Sequence, residues 1–164
     1  MGRIFSKRLG RLLRETTGVN MIEAAIITPL LLLLSFSVVD FASIFYVYLA
    51  LENGVSQATR FAVTGNTLAD PSDPSTQLDR VGSIKAAMRD ATPTITIPDG
   101  AFSFANMPSG ASSWAAGVGG PGALEKVTVT YTWNVMTPLL RPFFTNGQIT
   151  FVVDSVMKNE GRFE

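Results

Sequence analysis

Cysteine and histidine are both absent from the chain. Their absence excludes disulfides, thiolate nucleophiles, histidine-based metal sites and Ser-His-Asp triads within the 164 residues. Charge is scarce: 16% of residues are charged and 46% hydrophobic, so the chain is more apolar than an ordinary soluble domain. The formal net charge of +0 also hides an uneven distribution. Residues 1–18 carry Arg3, Lys7, Arg8, Arg11 and Arg14 against Glu15 alone, a surplus of +4, and the rest of the chain carries −4. The surplus sits on one short stretch before an apolar run. That pattern reads as orientation in a membrane rather than nucleic-acid binding, which would need a basic patch on a folded domain.

What is present is organised in blocks. Residues 24–39 contain no charge. As a helix these 16 residues span about 24 Å, somewhat short of the roughly 30 Å hydrocarbon core of a bilayer. Asp40 interrupts, and the apolar character then continues to Leu51, with Phe41, Phe45, Tyr46 and Tyr48 placed as an interfacial aromatic belt. From there the pattern becomes one-sided. Phe41, Ile44, Phe45, Tyr48, Leu51, Val55, Ala58 and Ala62 recur at three- and four-residue spacing, which predicts an amphipathic continuation. One helix is expected over residues 22–63, with Pro29 kinking it and Gly65 ending it.

Residues 65–77, GNTLADPSDPSTQ, form a turn-rich linker. Leu78, Val81, Ile84, Met88 and Ala91 mark a second helix. "TITI" at 94–97 and "AFSF" at 101–104 are short strand candidates, and residues 106–122 read as a Gly-, Ser- and Pro-rich loop. "KVTVTYTWNV" at 126–135 alternates Val127, Val129, Tyr131, Trp133 and Val135 against a Thr/Asn face, the strongest strand signal in the chain. "QITFVVDSVM" at 148–157 is its expected antiparallel partner, reached through the turn dipeptide Asn146-Gly147. The fold class is therefore α+β. A long N-terminal membrane helix continues into an amphipathic half that covers a small antiparallel β-sheet.

The apolar segment does not read as a cleaved secretory signal. It lacks a small-residue exit, and removing it would discard half of a continuous helix. A cut after Gly18 fits better. The new chain would begin at Val19 and Glu23 would be its fifth residue. An ionisable group deep in lipid costs about 2.5–3.5 kcal/mol, less near the headgroups. Where apolar helices pack on one another outside lipid, a carboxylate and a new α-amine each lower the other's burial cost. Such pairs are best attested as devices that fix register. Glu23 is accordingly expected to meet the amine of Val19 on a neighbouring subunit. The plainer alternative is that Glu23 snorkels at the edge of an uncut signal anchor.

Gly18 and Glu23 after a basic lead resemble the class III signal of type IV pilin-like proteins, which implies cleavage by a prepilin peptidase after Gly18. More widely, "RETTGVNMIEAAIITPLLLL", the helix end "ENGVSQATRFAVTG", and "VTVTYTWNVMTPLL" followed by "ITFVVDSVMKNE" resemble the TadE-like pseudopilins of Tad (tight adherence, Flp-type) pilus systems. Residues 66–124 carry no such likeness, and the cysteine pairs common in that family are missing. The resemblance implies a leader at 1–18, a transmembrane and assembly helix at 19–51, and a pilin-like α+β domain at 52–164 outside the cytoplasm. It implies a single-pass protein of the bacterial inner membrane, amino terminus inside, acting as a minor pilin or pseudopilin that helps initiate, cap or regulate a surface fibre used in adhesion. The implied partners are prepilin peptidase, other pilin subunits, the membrane assembly platform and the lipid bilayer.

Other features point less far. Leu139, Leu140, Phe143 and Phe144 form a dense apolar cluster that either caps the core or contacts another subunit or the membrane. Asp40, about 25 Å along the helix from Glu23, is expected as a solvated interfacial acid. "GVGGPG" at 117–122 lacks the Lys-Ser/Thr of a phosphate loop, and Asp70, Asp73 and Asp79 lack calcium-loop spacing. A membrane-tethered enzyme would need a carboxylate pair such as Asp154 and Glu160, with no second supporting feature. No catalytic, cofactor or metal residue is expected.

Overall fold

The computed structural model describes residues 16–163, which fall into two compact units, one ending at Phe41 and one beginning at Ala42. The basic leader up to residue 15 lies outside the described residues. The chain is α+β. Helix α1 runs from Thr16 to Thr64 and continues through Pro29.

In the first unit α1 is apolar on all sides, with Ile26, Leu30, Leu34 and Val38 exposed. Among the described residues it is the one helix long and apolar enough to cross a membrane. Two of its hydroxyls bond to its own backbone: Ser35 Oγ donates to the Leu31 carbonyl at 2.8 Å and Ser37 Oγ to the Leu33 carbonyl at 2.7 Å. That back-bonding suits a segment whose surroundings offer no water. Asp40 is 3% exposed, so the expectation of a solvated acid is not met.

In the second unit α1 turns one stripe, Val47, Leu51, Val55, Ala58 and Ala62, into the core. Its end is set by Gly65, whose φ of 74° supplies the left-handed conformation a helix terminus uses. Helix α2 (Arg80–Ala91) starts where Asp79 Oδ1 accepts the Gly82 N–H at 2.8 Å, an N-cap, and delivers Ile84 and Met88 to the same core. Gly54 lets the helices meet: a Cβ there would stand 2.5 Å from Thr92 Cγ2.

The sheet has four antiparallel strands, β1 (Phe102–Met107), β2 (Ala115–Ala116), β3 (Leu124–Asn134) and β4 (Gln148–Lys158), in the order β2-β1-β3-β4. The β3–β4 ladder pairs Val129 with Val153 and Trp133 with Ile149. Val127, Val129, Trp133, Val135 and Val153 pack under the helices, and the threonine face of β3 turns outward as its alternation dictates. The sheet's apolar face and the helix stripe cover each other, the arrangement expected from the two periodicities.

Three expectations are corrected. Residues 94–97 form no strand. Ile95 and Ile97 are buried, but the Ile95 N–H closes a turn on Thr92 and the Ile97 carbonyl accepts from the Arg89 guanidinium. Strand "AFSF" is displaced: Ala101 belongs to a 3-10 turn, and β1 instead runs from Phe102 to Met107. The short β2 lies inside the stretch read as loop.

Candidate functional site

Gly18, Val19 and Glu23 all lie on α1, at its beginning. Gly18 is helical and exposed, and a Cβ built on it meets no atom within 4 Å. Packing therefore gives no reason for glycine there, although glycine weakens a helix by about 1 kcal/mol relative to alanine. Val19 is 64% exposed and Glu23 is exposed too. The two are four residues apart, so they project from one face of the helix. A cut between Gly18 and Val19 would put Glu23 in the first turn of the shortened helix. Unbonded N–H groups and the positive end of the helix dipole gather there, and both favour a carboxylate.

The apolar cluster at 139–144 divides in two. Leu140 and Phe144 pack against the core, while Leu139 and Phe143 are 55% and 76% exposed. Leu140 and Phe144 thus cap the core, and Leu139 and Phe143 are left facing outward. Arg141 ties it down, donating Nε–H to the Val135 carbonyl at 3.0 Å.

Sequence reasoning missed a buried polar cluster. Glu125 is fully buried on the inward face of β3. Its Oε2 accepts the Gly119 N–H at 2.7 Å and stands 3.6 Å from Arg80 Nη2. Arg80 also donates to the Ala62 carbonyl at 2.9 Å and to the Gly119 carbonyl, and its guanidinium lies 4.4 Å from the Phe163 ring centroid. Asn159, nearly fully buried, donates to the carbonyls of Gly119 at 3.1 Å and Gly120 at 2.9 Å. Burial pushes the Glu125 carboxyl above the ordinary range, against the opposing pull of the Gly119 amide, Asn159 and Arg80. Burial likewise lowers Arg80, with Glu125 opposing. The cluster fastens the end of α1, the start of α2, the glycine loop and the end of β4 to one another. The available signal was parity: Glu125 continues the inward series of Val127 and Val129 by two residues.

The remaining acids have local uses. Asp70 and Asp73 accept from Ser72 and Ser75 N–H groups in Asx turns, and Asp154 pairs with Lys126 at 2.8 Å. Among the described residues no group of three His, Cys, Asp or Glu is placed to hold a metal ion. An open groove of about 1370 Å³ lies between Asn53, Gln57 and Phe61 of α1 and Val81, Lys85 and Asp90 of α2.

Comparison with curated proteins gives no match, and comparison with solved structures gives none. Residues 18–60, a stretch that opens on Gly18 and runs along α1, match the family model described as TadE-like protein.

Proposed function

We propose that the protein is a minor pilin of a Tad/Flp-type adhesion pilus, a non-enzymatic assembly subunit matured by a prepilin peptidase. The cut falls between Gly18 and Val19 and removes the basic leader. The subunit waits in the bacterial inner membrane with its amino terminus in the cytoplasm, as the leader's cations favour, and its α+β domain on the far side. Glu23 then neutralises the new amine of Val19 on a neighbouring subunit and sets the stagger between helices as they leave the lipid. Pilin subunits and the membrane assembly platform are its partners.

The observation that carries this reading is where the TadE-like match starts. It opens on Gly18, a glycine that no packing contact requires, and it includes Glu23, the acid five residues later. Amino-terminal sequencing of the protein from native membranes tests it. The reading expects the chain to begin Val-Asn-Met-Ile-Glu. A chain that begins at Met1 is instead a signal-anchored envelope protein whose outer domain binds a partner, and the proposed pairing then has no amine to use.

A further inference from the structure

The connection between β3 and β4 is built like a surface that rests on lipid. Three of its apolar side chains, Met136, Leu139 and Phe143, are 61%, 55% and 76% exposed although the core lies immediately beneath them. They are held out by a firm base. The Val135 N–H donates to the Gly147 carbonyl at 3.0 Å, Arg141 is bonded to Val135, and Leu140 and Phe144 are packed into the core. The segment is thus fixed in a conformation that presents greasy groups outward, a costly display unless something covers them.

Its location within the second unit says what covers them. The rings of Tyr48 and Phe151 lie 6.1 Å apart, and the Glu160 N–H donates to the Val63 carbonyl at 2.9 Å. Strand β4 and this part of α1 therefore run side by side in the same direction. Gln148 lies about 10 Å back from Phe151 along the strand. The same distance back from Tyr48 on the helix reaches the first turn of the unit. The β3–β4 connection thus sits at the same end of the second unit as the first turn of its helix, where that unit's chain begins.

Charge agrees. From Lys126 to Val153 there is no acidic residue. Arg141 is exposed, and the ion pairs found among the described residues do not include it. Apolar and aromatic groups beside an uncompensated arginine suit the boundary between acyl chains and anionic headgroups.

We propose that Met136, Leu139 and Phe143 insert into that boundary, with Arg141 on anionic headgroups, and seat the outer domain on the bilayer. This rests on the reading that α1 crosses the membrane. The chain's lack of cysteine allows a direct test. Full-length protein carrying Met136→Cys, Ser72→Cys or Leu32→Cys is labelled with an environment-sensitive nitrobenzoxadiazole dye and reconstituted in phosphatidylcholine–phosphatidylglycerol vesicles containing spin-labelled lipids.

The expected result is at least twofold quenching at 136 by lipids labelled near the headgroup. Position 72 should show no quenching, and position 32 should be quenched by lipids labelled deep in the chain. Adding Leu139→Ser and Phe143→Ser should abolish quenching at 136 with far-UV circular dichroism unchanged. Quenching at 32 without quenching at 136 overturns the seat and leaves the span standing. Absence of quenching at both positions overturns the span and the seat together. A spectral shift at 136 that grows with protein density, without lipid quenching, makes the patch a contact between subunits and also overturns the proposal.

Discussion

The Arg80 guanidinium stands 3.6 Å from the Glu125 carboxylate, and the two come from opposite layers of the domain, one from the first turn of α2 and the other from the inward face of β3. Burial already holds the Glu125 pKa above its unfolded value, so the group's contribution to stability falls as pH rises through the window between the two. Arg80→Ala removes the counter-charge and widens that window. The expected loss is about 2–3 kcal/mol at pH 7, below the full figure for a buried pair because Arg80 is partly exposed. It should shrink as pH falls and Glu125 takes up a proton. Denaturant unfolding in detergent micelles at pH 7 and pH 4.5, followed by tryptophan fluorescence, measures both values.

Gly54→Ala should be destabilising, against the usual rule. In an exposed helix the change gains up to about 1 kcal/mol. Here the new methyl would stand 2.5 Å from Thr92 Cγ2, on a buried, β-branched residue that cannot swing aside. Overpacking of this kind costs about 1–3 kcal/mol and outweighs the gain. A lowered melting temperature by circular dichroism is the expected outcome.

The segment 139–144 should separate by position. Phe144→Ala removes a ring packed on the core and should cost about 2 kcal/mol, discounted from a fully buried phenylalanine. Phe143→Ala, at a residue 76% exposed, should change the unfolding midpoint by less than about 0.5 kcal/mol. Parallel melts of the two variants check the division.

Where one periodicity governed burial, the fold could be read in advance. The stripe from Val47 to Ala62, the α2 positions Ile84 and Met88, and the inward series of β3 all lie where their spacing puts them. At 94–97 the same reasoning misled. Burial does alternate there, with Ile95 and Ile97 inside, but a strand also needs a neighbour for its backbone, and the Ile97 carbonyl is taken by Arg89. Alternation records which way side chains point and says nothing of who accepts the hydrogen bonds. Strand β2 is two alanines whose pairing depends entirely on β1 beside them, so no local signal existed. Glu125 was hidden by its type: an acid at a strand end looks like the end of the strand, whereas Arg80, far away in sequence, and the Gly119 amide make its burial tolerable. At the amino terminus, Gly18 and Glu23 stand out because each breaks a local rule without any packing compensation.

Glu23→Val should leave membrane insertion intact, because it lengthens the apolar run. It should abolish incorporation into fibres. Carbonate extraction of membranes reports the first and immunoblotting of sheared surface fibres the second. Normal incorporation would remove the registry role of Glu23.

The bond between Gly18 and Val19 lies within hydrogen-bonded helical backbone, whereas peptide hydrolysis demands an extended substrate threaded through a cleft. For the proposed cut, one turn of α1 has to melt before the Gly18 carbonyl can be attacked. Glycine makes that fraying easier than alanine by about 1 kcal/mol, roughly a fivefold difference in the unwound population. Even Gly18→Ala, small enough for most enzyme pockets, should therefore slow maturation through the substrate's own reluctance to uncoil. In the proposed maturation the residue is a built-in soft spot that sets how fast a newly inserted chain becomes competent.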